Sequence, residues 1–107
     1  MKPPKHLRPA TQRWFAHVIE HYELEPHHLR LLQLAGEAWD RAEQAREALA
    51  EHGMIFMDRF ECPRARPEVA IERDSRIAFA RLVRELDLDV DPPPQPSRGP
   101  ALRSNWR

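Results

Sequence analysis

Apolar positions repeat with helical period over three stretches of this chain. In the first, Trp14, Phe15, Val18, Ile19 and Tyr22 share one face, and Thr11 stands where an N-cap belongs. Leu24-Glu25-Pro26 interrupts that stripe, and Pro26 suits the first turn of a second helix. The second helix is predicted to run to about His52, where Gly53 stops it, a length of about 40 Å. Leu32, Ala35, Trp39, Ala42 and Leu49 mark one seam along it, widened by Leu31, Leu34, Ala38 and Ala45. The third stripe is Ile71, Phe79, Leu82, Val83 and Leu86, opened by Pro67. It breaks at Leu88-Asp89-Val90-Asp91, ahead of Pro92-Pro93-Pro94, which cannot continue a helix.

Between the second and third helices the period changes. Met54-Ile55-Phe56-Met57 and Phe60-Glu61-Cys62 flank Asp58-Arg59, a pattern that predicts a small hairpin turning at Asp58-Arg59, with an extended loop as the alternative. A lone hairpin is marginal in water, so this one must lean on a helix or on a neighbouring subunit. Pro63 and Pro67 bracket Arg64-Ala65-Arg66 as a connector. The expected fold is therefore mainly α: short helix, long helix, small β-hairpin, third helix.

Length and proline content shape the domain plan. Of 107 residues, positions 1–10 hold three prolines and positions 91–107 hold five, so both ends read as flexible arms around one helical domain at 11–90. About 80 folding residues bury only a modest core alone, so self-association is expected to supply more. Leu32, Ala35, Trp39, Ala42 and Leu49 of the second helix, with Phe79, Leu82 and Leu86 of the third, are the expected oligomer interface. The longest apolar run is Met54 to Met57, so no membrane span is expected. With a single cysteine, Cys62, a reducing cytoplasm is the expected compartment.

The formal charge is zero, but it is segregated. Lys2, Lys5, Arg8 and Arg13 stand in residues 1–13 without an acid, giving +4; Arg98, Arg103 and Arg107 give +3 at the other end. The intervening residues carry ten bases and seventeen acids, a balance of −7. Basic arms on an acidic body reach for phosphate, or else serve solubility. Arg64 and Arg66 form a second acid-free pair.

Catalytic chemistry finds little support. His17 and His21 have the i, i+4 spacing of a two-histidine metal site but lack a third ligand and the intervening acid of a metalloprotease, and adjacent His27 and His28 diverge on a helix. Cys62 has no histidine nearby in sequence and reads as a small apolar hairpin residue. The three glycines, Gly36, Gly53 and Gly99, build no phosphate loop. Asp40 to Glu47 reads as a solvated helix face with i, i+3 and i, i+4 ion pairs, or as an intersubunit salt-bridge network. Neither a cofactor nor a metal is expected.

Taken whole, Trp14 to Leu88 resembles the small terminase subunit family of tailed bacteriophages. The likeness runs through Trp14-Phe15, Leu31-Leu32, Trp39-Asp40-Arg41, Ala45-Arg46-Glu47-Ala48-Leu49, Gly53 before the hairpin, Pro67 at the last helix, and Leu82-Val83-Arg84-Glu85-Leu86-Asp87-Leu88. No one of these short motifs is diagnostic; their order and spacing carry the resemblance. The chain departs in two places: no glycine stands near Phe60, and Asp87 sits where a glycine often ends the last helix. The resemblance implies a non-enzymatic, ring-forming subunit in the host cytoplasm. It selects double-stranded viral DNA and delivers it to the large terminase subunit, which holds the ATPase and nuclease. On that reading Lys2, Lys5, Arg8, Arg13, Arg64 and Arg66 are the expected DNA contacts. The proline-rich tail is expected to contact the large subunit through Leu102, Arg103, Trp106 and Arg107. The competing reading is a small helical adaptor that binds only protein; a metal enzyme using His17 and His21 is a distant third.

Overall fold

A computed structural model describes residues 2–88 of the chain. The elements follow in the order α1 (Pro9–His21), α2 (Pro26–His52), β1 (Ile55–Met57), β2 (Pro63–Ala65) and α3 (Pro67–Leu86). Each helix has proline in its first turn, where the ring fixes φ and the missing N–H leaves no intrahelical bond unmade. α1 starts two residues before the expected cap. Thr11 is buried inside it and does not cap it; its hydroxyl donates to Asp40 Oδ1 on α2. The Arg8 amide, at the helix start, donates to Asp40 Oδ2 at 2.8 Å, so an acid from another helix does the work of a local cap.

α2 opens with a reciprocal contact, the Glu25 amide donating to His28 Nδ1 at 3.0 Å. It ends at Gly53, whose φ of 83° lies outside the range a side chain tolerates cheaply. Its buried face is a row of small residues, Ala35, Gly36, Ala38, Ala42 and Ala45, below Leu32. Such a face lets other segments approach closely. At Gly36 a Cβ would lie 3.1 Å from Thr11 Cγ2 and 3.2 Å from Leu7 Cδ1, so the chain entering α1 crosses α2 where a side chain is missing.

The core gathers where α1, the first half of α2 and the end of α3 meet. Leu7, Phe15, Val18, Leu32 and Leu86 are buried there, with Trp14, Ile19, Tyr22, Leu24, Leu31 and Leu88 packed around them. Tyr22 Oη donates to the Leu88 carbonyl at 2.8 Å and ties the end of α3 to the end of α1.

Leu7 lies inside the segment expected as a free basic arm, and its burial anchors that segment. His6 contacts Glu37 at 2.7 Å, and Gln12 Nε2 donates to the Leu7 carbonyl at 2.7 Å. Arg8 makes a two-pronged pair with Glu47 at 2.9 and 3.0 Å. The tail from residue 89 onward lies outside the described residues.

The hairpin is antiparallel, pairing Ile55 with Ala65, Phe56 with Arg64 and Met57 with Pro63. Its turn is wider than the expected Asp58-Arg59 pair, spanning Asp58 to Cys62. Asp58 organises it: Oδ1 accepts from the amides of Phe60 (2.8 Å) and Cys62 (3.0 Å), and Oδ2 from Arg64 Nε at 3.0 Å. Glu61 takes the left-handed conformation, φ 62°, in a loop that has no glycine to take it. α3 ends in the same way, with Asp87 left-handed at φ 54° and its amide bonded to Val83 and Arg84 carbonyls. Asp87→Gly should therefore stabilise the fold, by on the order of 0.5 kcal/mol once the greater freedom of the unfolded chain is counted. A lower midpoint in thermal melts of the variant would show that the aspartate makes a contact worth more than the strain.

Candidate nucleic-acid and partner interface

The residues expected to bind DNA are only partly exposed as cations. Lys2, Lys5 and Arg13 are exposed. Arg8 is half-buried and held by Glu47, which raises the pKa of the guanidinium and lowers that of the carboxylate. Arg64 pairs with Asp58, and the Arg66 guanidinium lies 5.9 Å from the centre of the Phe56 ring. Arg59, in the hairpin loop, covers Phe60 at 5.0 Å and makes no ion pair among the described residues. No signal in the sequence separated it from its paired neighbours. Arg8 pairs with a glutamate near the end of α2, close in sequence to the point where the hairpin leaves the helix.

The residues expected at an oligomer interface divide in two. Leu32, Ala35, Ala42 and Leu86 are buried within the chain, so they serve its own packing and leave nothing for a second copy to cover. Trp39 keeps 39% of its surface exposed, while Leu49, Phe79 and Leu82 are half-buried. Phe79 sits between two tryptophans, its ring centre 5.9 Å from that of Trp14 and 5.1 Å from that of Trp39. With Ala10 and Thr11 these three rings line an open apolar cleft of about 290 Å³. The alternation of helix faces placed each ring on an apolar stripe, but only the packing of all three helices makes them one concave surface.

The hairpin is the second exposed apolar surface. Every residue of both strands is exposed, and Met54, Ile55, Phe56, Met57 and Phe60 together present a protruding apolar ribbon. Among the described residues it packs little against its own helices.

His21 Nδ1 bonds the His17 carbonyl at 2.9 Å, so that nitrogen is engaged. The His27 and His28 rings, expected to diverge, lie 4.1 Å apart. No cluster of three metal-ligating side chains occurs among the described residues. Cys62 is exposed, its Sγ near the Phe60 carbonyl. The charged run of α2 is divided: Arg46 pairs with Glu43 as expected of a helix surface, while Asp40 and Glu47 hold the N-terminal segment.

Three carboxylates in these contacts titrate below their ordinary range. Asp58 is lowered chiefly by the Cys62 amide and then by Arg64, Glu47 by Arg8, and Glu37 by Gln33 and then His6. A lowered folded-state pKa contributes stability that is complete above the unfolded value and is lost as pH falls through the folded one. Thermal stability is therefore expected to hold from neutrality down to about pH 5 and to decline below about pH 4. Melts that keep the same midpoint down to about pH 2.5 would show that the hairpin loop and N-terminal clamp contribute nothing.

No helix of the described residues is long and apolar enough to cross a membrane. No protein-family profile, curated protein or solved structure matches the chain.

Proposed function

We propose that this protein is a phage small terminase subunit, a ring-forming, non-catalytic protein of the host cytoplasm. It recognises viral duplex DNA and hands it to the large subunit, whose ATPase and nuclease package the genome. The observation that carries this reading is the element order: a short helix, a long helix ended by Gly53, a hairpin, and a proline-opened third helix, in the sequence the resemblance implies. Two exposed apolar surfaces, the cleft and the hairpin, support self-association, and exposed Lys2, Lys5 and Arg13 support phosphate contact. The direct functional test is reconstitution. Added to its cognate large terminase subunit, the protein should stimulate cleavage of the phage's own DNA over unrelated DNA while cleaving nothing alone. An unchanged rate and unchanged choice of DNA would refute the proposal.

A second reading is a helical adaptor that binds protein only. It is favoured by Arg8 and Arg64 spending their charge on Glu47 and Asp58, which leaves fewer cations for phosphate.

A further inference from the structure

The described residues present a concave and a convex apolar surface, and no other described residue covers either. The concave one is the cleft of Trp14, Trp39 and Phe79. The convex one is the hairpin, whose most exposed apolar side chain, Phe60, keeps 70% of its surface accessible at the loop. Size favours their union. A cavity of about 150 Å³ accepts a benzene ring, so a cleft of about 290 Å³ has room for a phenyl ring and an aliphatic neighbour. A two-stranded ribbon with all residues exposed is marginal without something packed on it.

The hairpin cannot fill its own cleft. Trp39 precedes the end of α2 by thirteen residues, and Phe79 follows the start of α3 by twelve. Both rings therefore lie roughly 20 Å along the helices from the end where the hairpin leaves them. Among the described residues no segment of the same chain fills the cleft, and the described surface that matches its shape is the hairpin of a second copy. Charge is compatible with that union: the loop brings Arg59, without an ion pair among the described residues, and Glu43, which pairs with Arg46 of its own helix, stands one helical turn beyond Trp39 on the same side of α2.

We propose that the hairpin loop of one copy, led by Phe60, seats in the aromatic cleft of the next copy. The two patches differ, so each copy can insert into one neighbour and receive another, a head-to-tail contact; a reciprocal exchange between two copies, read as variant-specific dimers with no ladder, would overturn that arrangement. Contacts of that kind close into rings when the rotation per subunit permits, and otherwise extend into filaments. This inference rests on the self-assembly in the reading above and assigns it an interface.

Cys62, two residues from Phe60 and the chain's single cysteine, provides the probe. Ala10 is exposed and lines the cleft, so Ala10→Cys places a second thiol at the receiving site. Treating the full-length variant with a short-spacer bismaleimide should give a ladder of covalent dimers, trimers and larger species on a denaturing gel. The wild type and an Ala10→Cys/Cys62→Ser variant should give none. Dimers only, present equally in the wild type, would mean that hairpins meet one another and would overturn the proposal. So would crosslinking within a single chain. If light scattering shows an assembly and no ladder forms, this interface is wrong and self-association stands; if the wild type is monomeric, both fall. Phe60→Ala tests the contact without a reactive group. The residue is exposed, so helical circular dichroism should be unchanged, while self-association weakens by roughly tenfold or more. Undiminished association would contradict the assignment.

Discussion

Phe15→Ala is expected to remove most of the protein's stability and to lower its melting temperature steeply. Phe15 is wholly inaccessible to solvent, and it is the bulkiest of the five buried residues that cluster where the three helices meet. Removing a buried phenyl ring costs about 3–5 kcal/mol. A domain this small has a total stability near the lower end of about 5–15 kcal/mol, so the loss takes most of it. Phe15 is shared by all three helices, clustering with Leu7, Val18, Leu32 and Leu86, so its loss loosens α1, α2 and α3 together. Far-UV circular dichroism during heating measures the effect. Trp39→Ala is the natural comparison, since a ring exposed by 39% loses far less on truncation and should leave a cooperative melt. A Phe15→Ala melt within a few degrees of the wild type would mean that the core lies elsewhere.

The second large effect concerns DNA. Lys2→Glu, Lys5→Glu and Arg13→Glu together should reduce duplex affinity at least tenfold at low salt. Each side chain is exposed, and each cation that meets a phosphate contributes about one unit of salt slope. A ring multiplies that contribution by the number of subunits engaged. Point substitutions are the right instrument here. Deleting residues 1–9 would also remove Leu7 from the core and Arg8 from Asp40 and Glu47, so binding and folding would fail together. Arg64→Glu with Arg66→Glu should weaken binding less, because Arg64 is partly neutralised by Asp58. Unchanged affinity in both variants would move the contact elsewhere, Arg59 being the first place to look.

Most of the helical architecture was legible from local signals. Pro26 and Pro67 mark helix starts because the ring fixes φ, Gly53 marks an end because it alone takes a positive φ cheaply, and those boundaries fall where the sequence put them. The start of α1 was misread because Thr11 has the chemistry of a cap, whereas the acid that serves the helix start, Asp40, comes from another helix. Leu7 was assigned to an arm because one apolar residue among prolines and cations has no period to reveal it. Leu7 packs close on the facing helix at Gly36, where a Cβ would lie 3.2 Å from its Cδ1. The seam of α2 was legible as apolar, but sequence did not distinguish residues buried by their own chain, Leu32 and Ala42, from one left partly exposed, Trp39. The hairpin's existence was legible and its turn was not, since Asp58 shapes the loop by accepting bonds from residues two, four and six positions later.

The central claim is that the protein is a DNA-recognition subunit, and binding of the full-length chain to duplex DNA across a salt series tests it most directly. The account predicts tight binding at low salt, with the logarithm of the association constant falling linearly against the logarithm of salt concentration. The slope should be several units, reflecting phosphates met by Lys2, Lys5 and Arg13 of more than one subunit. Failure to bind duplex DNA even at low salt, by a protein that is folded and assembled, would contradict the account and favour the protein-only adaptor.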